Sequence, residues 1–223
     1  GERSLMMDVY YPFGLESEPN LRVPAIILVS GQAAAEVMPL LRGIRFVTTA
    51  ARAVAARANR IVIVYDIRSI DESLAELTGD LNDLIGYVRA HADELRIDGD
   101  SLAILARSAG GAYGMRAAWH GPRPYIKAVS LQYAEIDKDL LELAQQDGKK
   151  APLFLVTTQY DDFYDPKAVA ALQAAAAKSE TPVEYVHLAN SDHGYDSVND
   201  TIESRQALLR TILFLRAHLP IRR

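Results

Sequence analysis

Cysteine is absent from the 223 residues of the chain. That removes disulfides, thiolate metal sites and a cysteine nucleophile together, without fixing the compartment, since exported proteins also fold without disulfides. No apolar run approaches the ~20 residues a helix needs to cross a bilayer. Basic charge is not in excess either: 24 Lys and Arg stand against 29 Asp and Glu. The basic residues are scattered, and the Ile221-Arg222-Arg223 end is too short for a basic arm, so no nucleic-acid surface is expected. No repeat, low-complexity linker or break in composition divides the chain, and one domain spanning 1–223 is expected. Gly1 stands where an initiator Met would, which leaves localisation open, with the cytoplasm the expectation and export the alternative. The sequence carries no signal for oligomeric state.

What is present is an alternation of two segment types. Short β-branched runs occur at Ala25–Val29, Arg60–Tyr65, Ser101–Ala106, Ile126–Leu131, Leu153–Thr158 and Val183–Leu188. Near-continuous apolar runs of this kind are expected of parallel strands covered on both faces. Between them lie helical patterns at Phe46–Ala58, Ser73–Leu95, Gly110–Trp119, Lys138–Gln146, Pro166–Lys178 and Thr201–His218. In the second of these, Leu74, Leu77, Leu81, Leu84, Ile85 and Val88 recur at three and four. Asp200 with Glu203 reads as a capping box, and Asp165 before Pro166 as an N-cap. Ala33–Ala35 and Ala174–Ala177 read as helix or tight helix packing. Leu5–Tyr11, followed by Pro12-Phe13-Gly14, reads as a strand entering a hairpin, antiparallel to the rest. Strict alternation predicts an α/β domain with a mostly parallel sheet and helices on both faces. In such a sheet the chemistry lies at the carboxyl ends of the strands.

Ser108 follows the Ser101–Ala106 strand and precedes the Gly110 helix, in Ala106-Arg107-Ser108-Ala109-Gly110-Gly111. A nucleophile presented on a sharp strand-to-helix turn needs small residues on both sides, because the two backbones approach closely. The run meets G-x-S-x-G with one change, Ala106 for the first Gly. A methyl group there is tolerable where φ is negative. The helix N-terminus behind the serine supplies oriented N–H groups. A serine needs a base, and of the five histidines only His193 sits in a polar loop just past a late strand, Ala189–Asp196. His91, His120 and His218 fall on helices or at their ends, and His187 lies within a strand. Asp161, just past the Leu153–Thr158 strand, is the expected acid that fixes the imidazole tautomer, with Asp162 the alternative. Glu135 and Asp137 are outside alternatives, Asp192 is adjacent to the base and poorly aimed, and Asp196 reads as a cap of the last helix. The turn Val29-Ser30-Gly31-Gln32 is expected to complete an oxyanion hole. There Gly31 allows close approach, and the Gln32 N–H is the second donor beside that of Ala109. Arg107 reads as a surface ion pair, or as a cation for a substrate carboxylate. Tyr113, Trp119, Tyr133, Tyr160 and Tyr164 are either site lining or ordinary packing, with packing the expectation for each.

With these residues assembled, the chain resembles the α/β-hydrolase superfamily over almost its whole length. Arg107-Ser108-Ala109-Gly110-Gly111 looks like the SAGG elbow of carboxylesterases and hormone-sensitive-lipase-like enzymes. Gln159-Tyr160-Asp161-Asp162 and His193-Gly194-Tyr195-Asp196 are similar to the G-x-D-D and H-G-F-D stretches of dienelactone-hydrolase-like proteins. The chain departs in Ala106, in lacking an H-G-G-G motif and cap segments, and in having serine where true dienelactone hydrolases have cysteine. The resemblance implies an α/β-hydrolase fold with little or no cap. It also implies hydrolysis of carboxylic esters without metal or organic cofactor, at a shallow site suited to small or exposed esters. Peptidase, thioesterase or lactonase activity on the same fold is the enzymatic alternative, and a catalytically silent hydrolase-like binding module the other.

Overall fold

The computed structural model describes residues 4–31, 38–67 and 73–222. Along the chain run β1 (Met7–Tyr10), β2 (Val23–Val29), α1 (Arg45–Ala58), β3 (Ile61–Tyr65), α2 (Leu74–Ala90), β4 (Ile97–Arg107) and α3 (Gly110–Trp119). Then follow β5 (Ile126–Gln132), α4 (Lys138–Gln145), β6 (Leu153–Tyr160), α5 (Pro166–Lys178), β7 (Val183–Asp192), the short α6 (Tyr195–Val198) and α7 (Ile202–His218). The strands form one seven-stranded sheet in the order β1-β3-β2-β4-β5-β6-β7. Every pairing is parallel except that of β1 with β3.

The two faces separate as the pleat demands. Ala25, Ile27 and Val29 pack with Leu81, Tyr113 and Leu172 on the side covered by α2, α3, α4 and α5. Ile26 and Leu28 pack with Val47, Ala51, Phe214 and Leu215 on the side of α1 and α7. Removing one such Ile or Leu from water contributes about 1.5–3 kcal/mol. The continuous apolar strands exist because both faces are used.

Four details differ from the sequence expectation. β1 is antiparallel, but its partner is β3 rather than the strand that follows it, so Pro12-Phe13-Gly14 does not close a hairpin. Arg42 ties the outcome together by pairing with both Asp8 of β1 and Asp66 just past β3. Helix α2 ends at Ala90, short of Leu95, where the chain turns through Arg96 at φ 58° into β4. The capping box of α7 is Thr201 with Ser204, not Asp200 with Glu203; Glu203 instead accepts the Ala189 N–H. Finally, β7 runs on to Asp192, so much of the expected polar loop is strand. Asp165 caps α5 as expected, with Pro166 in its first turn. Ala33–Ala35 lies outside the described residues.

Chain order and sheet order part at β2, because β3 lies on one side of it and β4 on the other. Such a reversal opens a crevice at the carboxyl ends of the diverging strands. Val29 pairs with Ala106 in register, which brings Gly31 and Ser108, two residues further on, to the rim of that crevice.

Candidate functional site

Ser108 occupies the turn between β4 and α3 with φ 51°. Left-handed backbone of this kind is uncommon outside glycine and costs on the order of 1–3 kcal/mol, so the surroundings must impose it. They do so through the Ser108 N–H, which donates to the Gln132 carbonyl at 3.0 Å, and through its carbonyl, which accepts from Gly111 N at 2.9 Å. The small neighbours are required by contact. A Cβ on Gly110 would lie 2.6 Å from the Ser30 carbonyl oxygen, and one on Gly111 would lie 2.5 Å from Ala134 Cβ. Ala106 is not among the residues with positive φ, which satisfies the condition for its methyl group.

The Ser108 Oγ lies 2.9 Å from Nε2 of His193, and Nδ1 of the same ring lies 2.9 Å from Oδ2 of Asp161. With the proton on Nδ1, the imidazole donates to the carboxylate and accepts from the hydroxyl, one continuous chain of hydrogen bonds. The three residues follow β4, β6 and β7. Tyr160 pairs with Asp192 in register, so Asp161 and His193 leave neighbouring strands side by side. Asp161 is held in turn by the Phe163 N–H at 2.9 Å and by the Thr158 hydroxyl. Its side chain is 4% exposed, whereas that of His193 is 38% exposed. A buried carboxylate thus orients an imidazole that stays open to solvent.

Among the competing carboxylates, Asp162 is exposed and Asp137 caps α4 through Leu140 N. Asp192 bonds Asn199. His187 is engaged by Thr157 and Gln159 and stacks on Tyr164. Ala109 stands at the N-cap of α3, where the first turn of a helix leaves its N–H donors without helical acceptors. Gly31 faces Ser108 so closely that a Cβ there would sit 2.9 Å from the serine Cβ. Ser30, just before it, gives its carbonyl to the Tyr113 hydroxyl at 2.6 Å. Gln32, the expected second donor, lies outside the described residues.

Two expectations about charged residues are overturned. Arg107 is buried rather than on the surface, and Asp196 is not a helix cap: the two form an ion pair at 3.0 Å with side chains 6% and 4% exposed. The physical reason is the pleat, which turns Arg107 to the face of Ala103 and Leu105, beneath α6. Burial opposes the Arg107 charge, but the facing Asp196 carboxylate prevails, and the Arg107 guanidinium titrates above its ordinary value. Tyr133 also departs from ordinary packing. Its hydroxyl donates to Asp196 at 2.9 Å, and its ring stands edge-on to His193 with centroids 4.8 Å apart. Burial pushes this phenol well above its usual range. Phe163 makes a second edge contact with the imidazole at 5.4 Å. Neither contact is visible in local periodicity; the signal for both was position just past β5 and β6. Tyr113 and Trp119 are buried, and Tyr160 is exposed beside the site.

No helix among the described residues is long and apolar enough to cross a membrane. No protein-family model matches the sequence, and no curated protein is similar to it. Solved structures are similar. Thermogutta terrifontis esterase 2 phosphonylated by cyclosarin matches with a TM-score of 0.78 at 16% identity, over 96% of this chain and 89% of that one. The propionate-bound form of that thermophilic planctomycete esterase matches with a TM-score of 0.76 at 18% identity, over 99% and 93%. Its butyrate-bound form matches at 0.75 and 17%, over 96% and 89%. Identities this low carry the likeness of architecture, and with the mostly parallel seven-stranded sheet they give the chain the α/β-hydrolase fold.

Proposed function

We propose that the protein is a serine esterase that cleaves small carboxylic esters through an acyl-enzyme. The observation that carries this reading is the unbroken hydrogen-bond chain from Ser108 through His193 to Asp161. A hydroxyl is a poor nucleophile until its proton has an acceptor in place, and Nε2 is that acceptor here. Ser108 attacks the ester carbonyl while His193 takes its proton. Asp161 holds the tautomer and stabilises the imidazolium that forms. The charge developing on the carbonyl oxygen meets the Ala109 N–H at the start of α3, on the side where Gly31 approaches Ser108. His193 then protonates the departing alcohol and activates the water that releases the acid.

The acyl group assigned is short. The similar esterase has been seen with propionate and butyrate. In this chain, exposed Phe163 and Tyr160 border a half-open base, which suits small esters carried on accessible alcohols. The decisive measurement is labelling by a fluorophosphonate probe together with hydrolysis of nitrophenyl acetate, butyrate and octanoate. Label on Ser108, turnover that falls with acyl length, and loss of both in Ser108→Ala are expected. An undiminished rate in Ser108→Ala overturns the proposal. Amide, thioester and lactone substrates in the same assay test the ester assignment, which fails if any of them is turned over faster.

A further inference from the structure

We infer that Asp196, clamped between Arg107 and Tyr133, is a positioning residue that fixes His193 over Ser108; this rests on the esterase reading above. Arg107 immediately precedes the serine, and Asp196 lies on the turn just past the histidine. Their ion pair at 3.0 Å therefore spans from the strand that carries the nucleophile to the segment that carries the base. The second carboxylate oxygen of Asp196 accepts the Tyr133 hydroxyl at 2.9 Å. The ring of Tyr133 is the surface on which the imidazole leans. Tyr133 itself leaves β5 directly after Gln132, whose carbonyl receives the Ser108 N–H. One carboxylate thus gathers three points of the site: the turn bearing the serine, the wall beside the imidazole, and the segment bearing that imidazole.

The energetics of the clamp argue for geometry over stability. Arg107 Nε and Nη1 are buried without a hydrogen-bond partner. Buried ion pairs with unmet donors seldom stabilise a fold more than apolar residues of the same size would. His193 has need of such a support. It follows β7, the edge strand of the sheet. After it the chain turns through Gly194 at φ 73° into a helix of only four residues with no side-chain cap. Tyr195 anchors that turn to Gln132 and stands edge-on to Tyr133, but makes no hydrogen bond to the imidazole itself.

The experiment replaces both charges at once, Arg107→Met with Asp196→Leu, and separately makes Tyr133→Phe. Melting temperature, kcat, KM and the rate of fluorophosphonate labelling at Ser108 are measured for each. Paired replacement leaves no orphaned charge, although the Tyr133 hydroxyl loses its acceptor, so the variant is expected to fold with a melting temperature within a few degrees of the parent. A displacement of the base by about 1 Å costs roughly 100-fold, so kcat and the labelling rate should fall by about 10- to 100-fold, with KM changed less than about threefold. Tyr133→Phe, which keeps the ring, is expected to lower kcat in the same direction. A folded double variant with the parent kcat overturns the inference. If the double variant does not fold, Tyr133→Phe decides, and its full activity overturns the inference equally. Failure of the unaltered protein to label or to hydrolyse any ester overturns the esterase reading and this inference with it.

Discussion

Gly114 faces Ala106 across the β4–α3 packing: a Cβ built on Gly114 would lie 3.0 Å from the Ala106 Cβ and 3.4 Å from Ile104 Cγ2. The glycine missing from the start of the serine turn is therefore offset by one on the helix, and the contact is kept with the methyl group on the other partner. Gly114→Ala should destabilise despite the ~1 kcal/mol gain in helix propensity. Both neighbours belong to the buried stretch of β4 from Ser101 to Arg107, which has little room to yield, and overpacking of this kind costs about 1–3 kcal/mol. Ala106→Gly combined with Gly114→Ala should recover most of the loss in a urea-denaturation double-mutant cycle. Additive effects in that cycle would show that the two sites are not in contact.

Asp161 and Asp162 are adjacent in sequence, yet one is buried against His193 and the other exposed. Asp161→Asn should lower kcat about 10,000-fold, because the imidazole loses the partner that holds its tautomer. Asp162→Asn should leave kcat within about twofold, as expected of a surface change away from special features. Steady-state kinetics on a nitrophenyl ester separates the two, and a reversed order would reassign the acid.

Gly31 has no room for a side chain beside Ser108. Gly31→Ala is expected to lower kcat roughly 100-fold by displacing the serine or the turn opposite it. The melting temperature should change less than kcat does, since Gly31 itself is only partly buried. An active Gly31→Ala variant would mean that the turn yields and contributes no fixed donor.

Tyr65, Tyr113, Tyr133 and Tyr195 are buried, and burial pushes each phenol up from its ordinary value. The unfolded chain releases these protons near pH 10 while the folded chain retains them. Between those limits the folded state binds more protons, so stability falls as pH rises. It should be intact below about pH 10 and decline above it. Absorbance titration should show these tyrosines ionising only as the far-ultraviolet signal of the fold is lost. Early ionisation of all 11 tyrosines would refute the assignment.

The strands and helices were legible because the central parallel strands are apolar on both faces and the long helices carry an apolar stripe. Ser108, Asp161 and His193 were legible because strand ends aim them at one place, and their order along the chain is enough to suggest that. The Arg107–Asp196 pair was not. Sequence alone makes Arg107 a charged residue in a turn and Asp196 a plausible cap. Only the pleat direction at the end of β4 and the shortness of α6 bring the two together away from water. The pairing of β1 was hidden for a related reason. A nearby turn suggests a local hairpin, whereas Arg42 binds the strand beside β3 through residues far apart in the chain. Registers at the carboxyl ends, such as Tyr160 with Asp192, depend on where strands stop, and composition marks that poorly.

Trp119, the sole tryptophan, lies at the end of α3 with its indole N–H on the Ala151 carbonyl at 3.1 Å. It therefore senses the docking of the β4–α3 unit onto the segment entering β6. His193 arrives only with β7, at the edge of the sheet and near the end of the chain. During refolding, tryptophan fluorescence and the proposed esterase activity thus time two different halves of the molecule. Any lag between them measures how long the central sheet waits for its last strand.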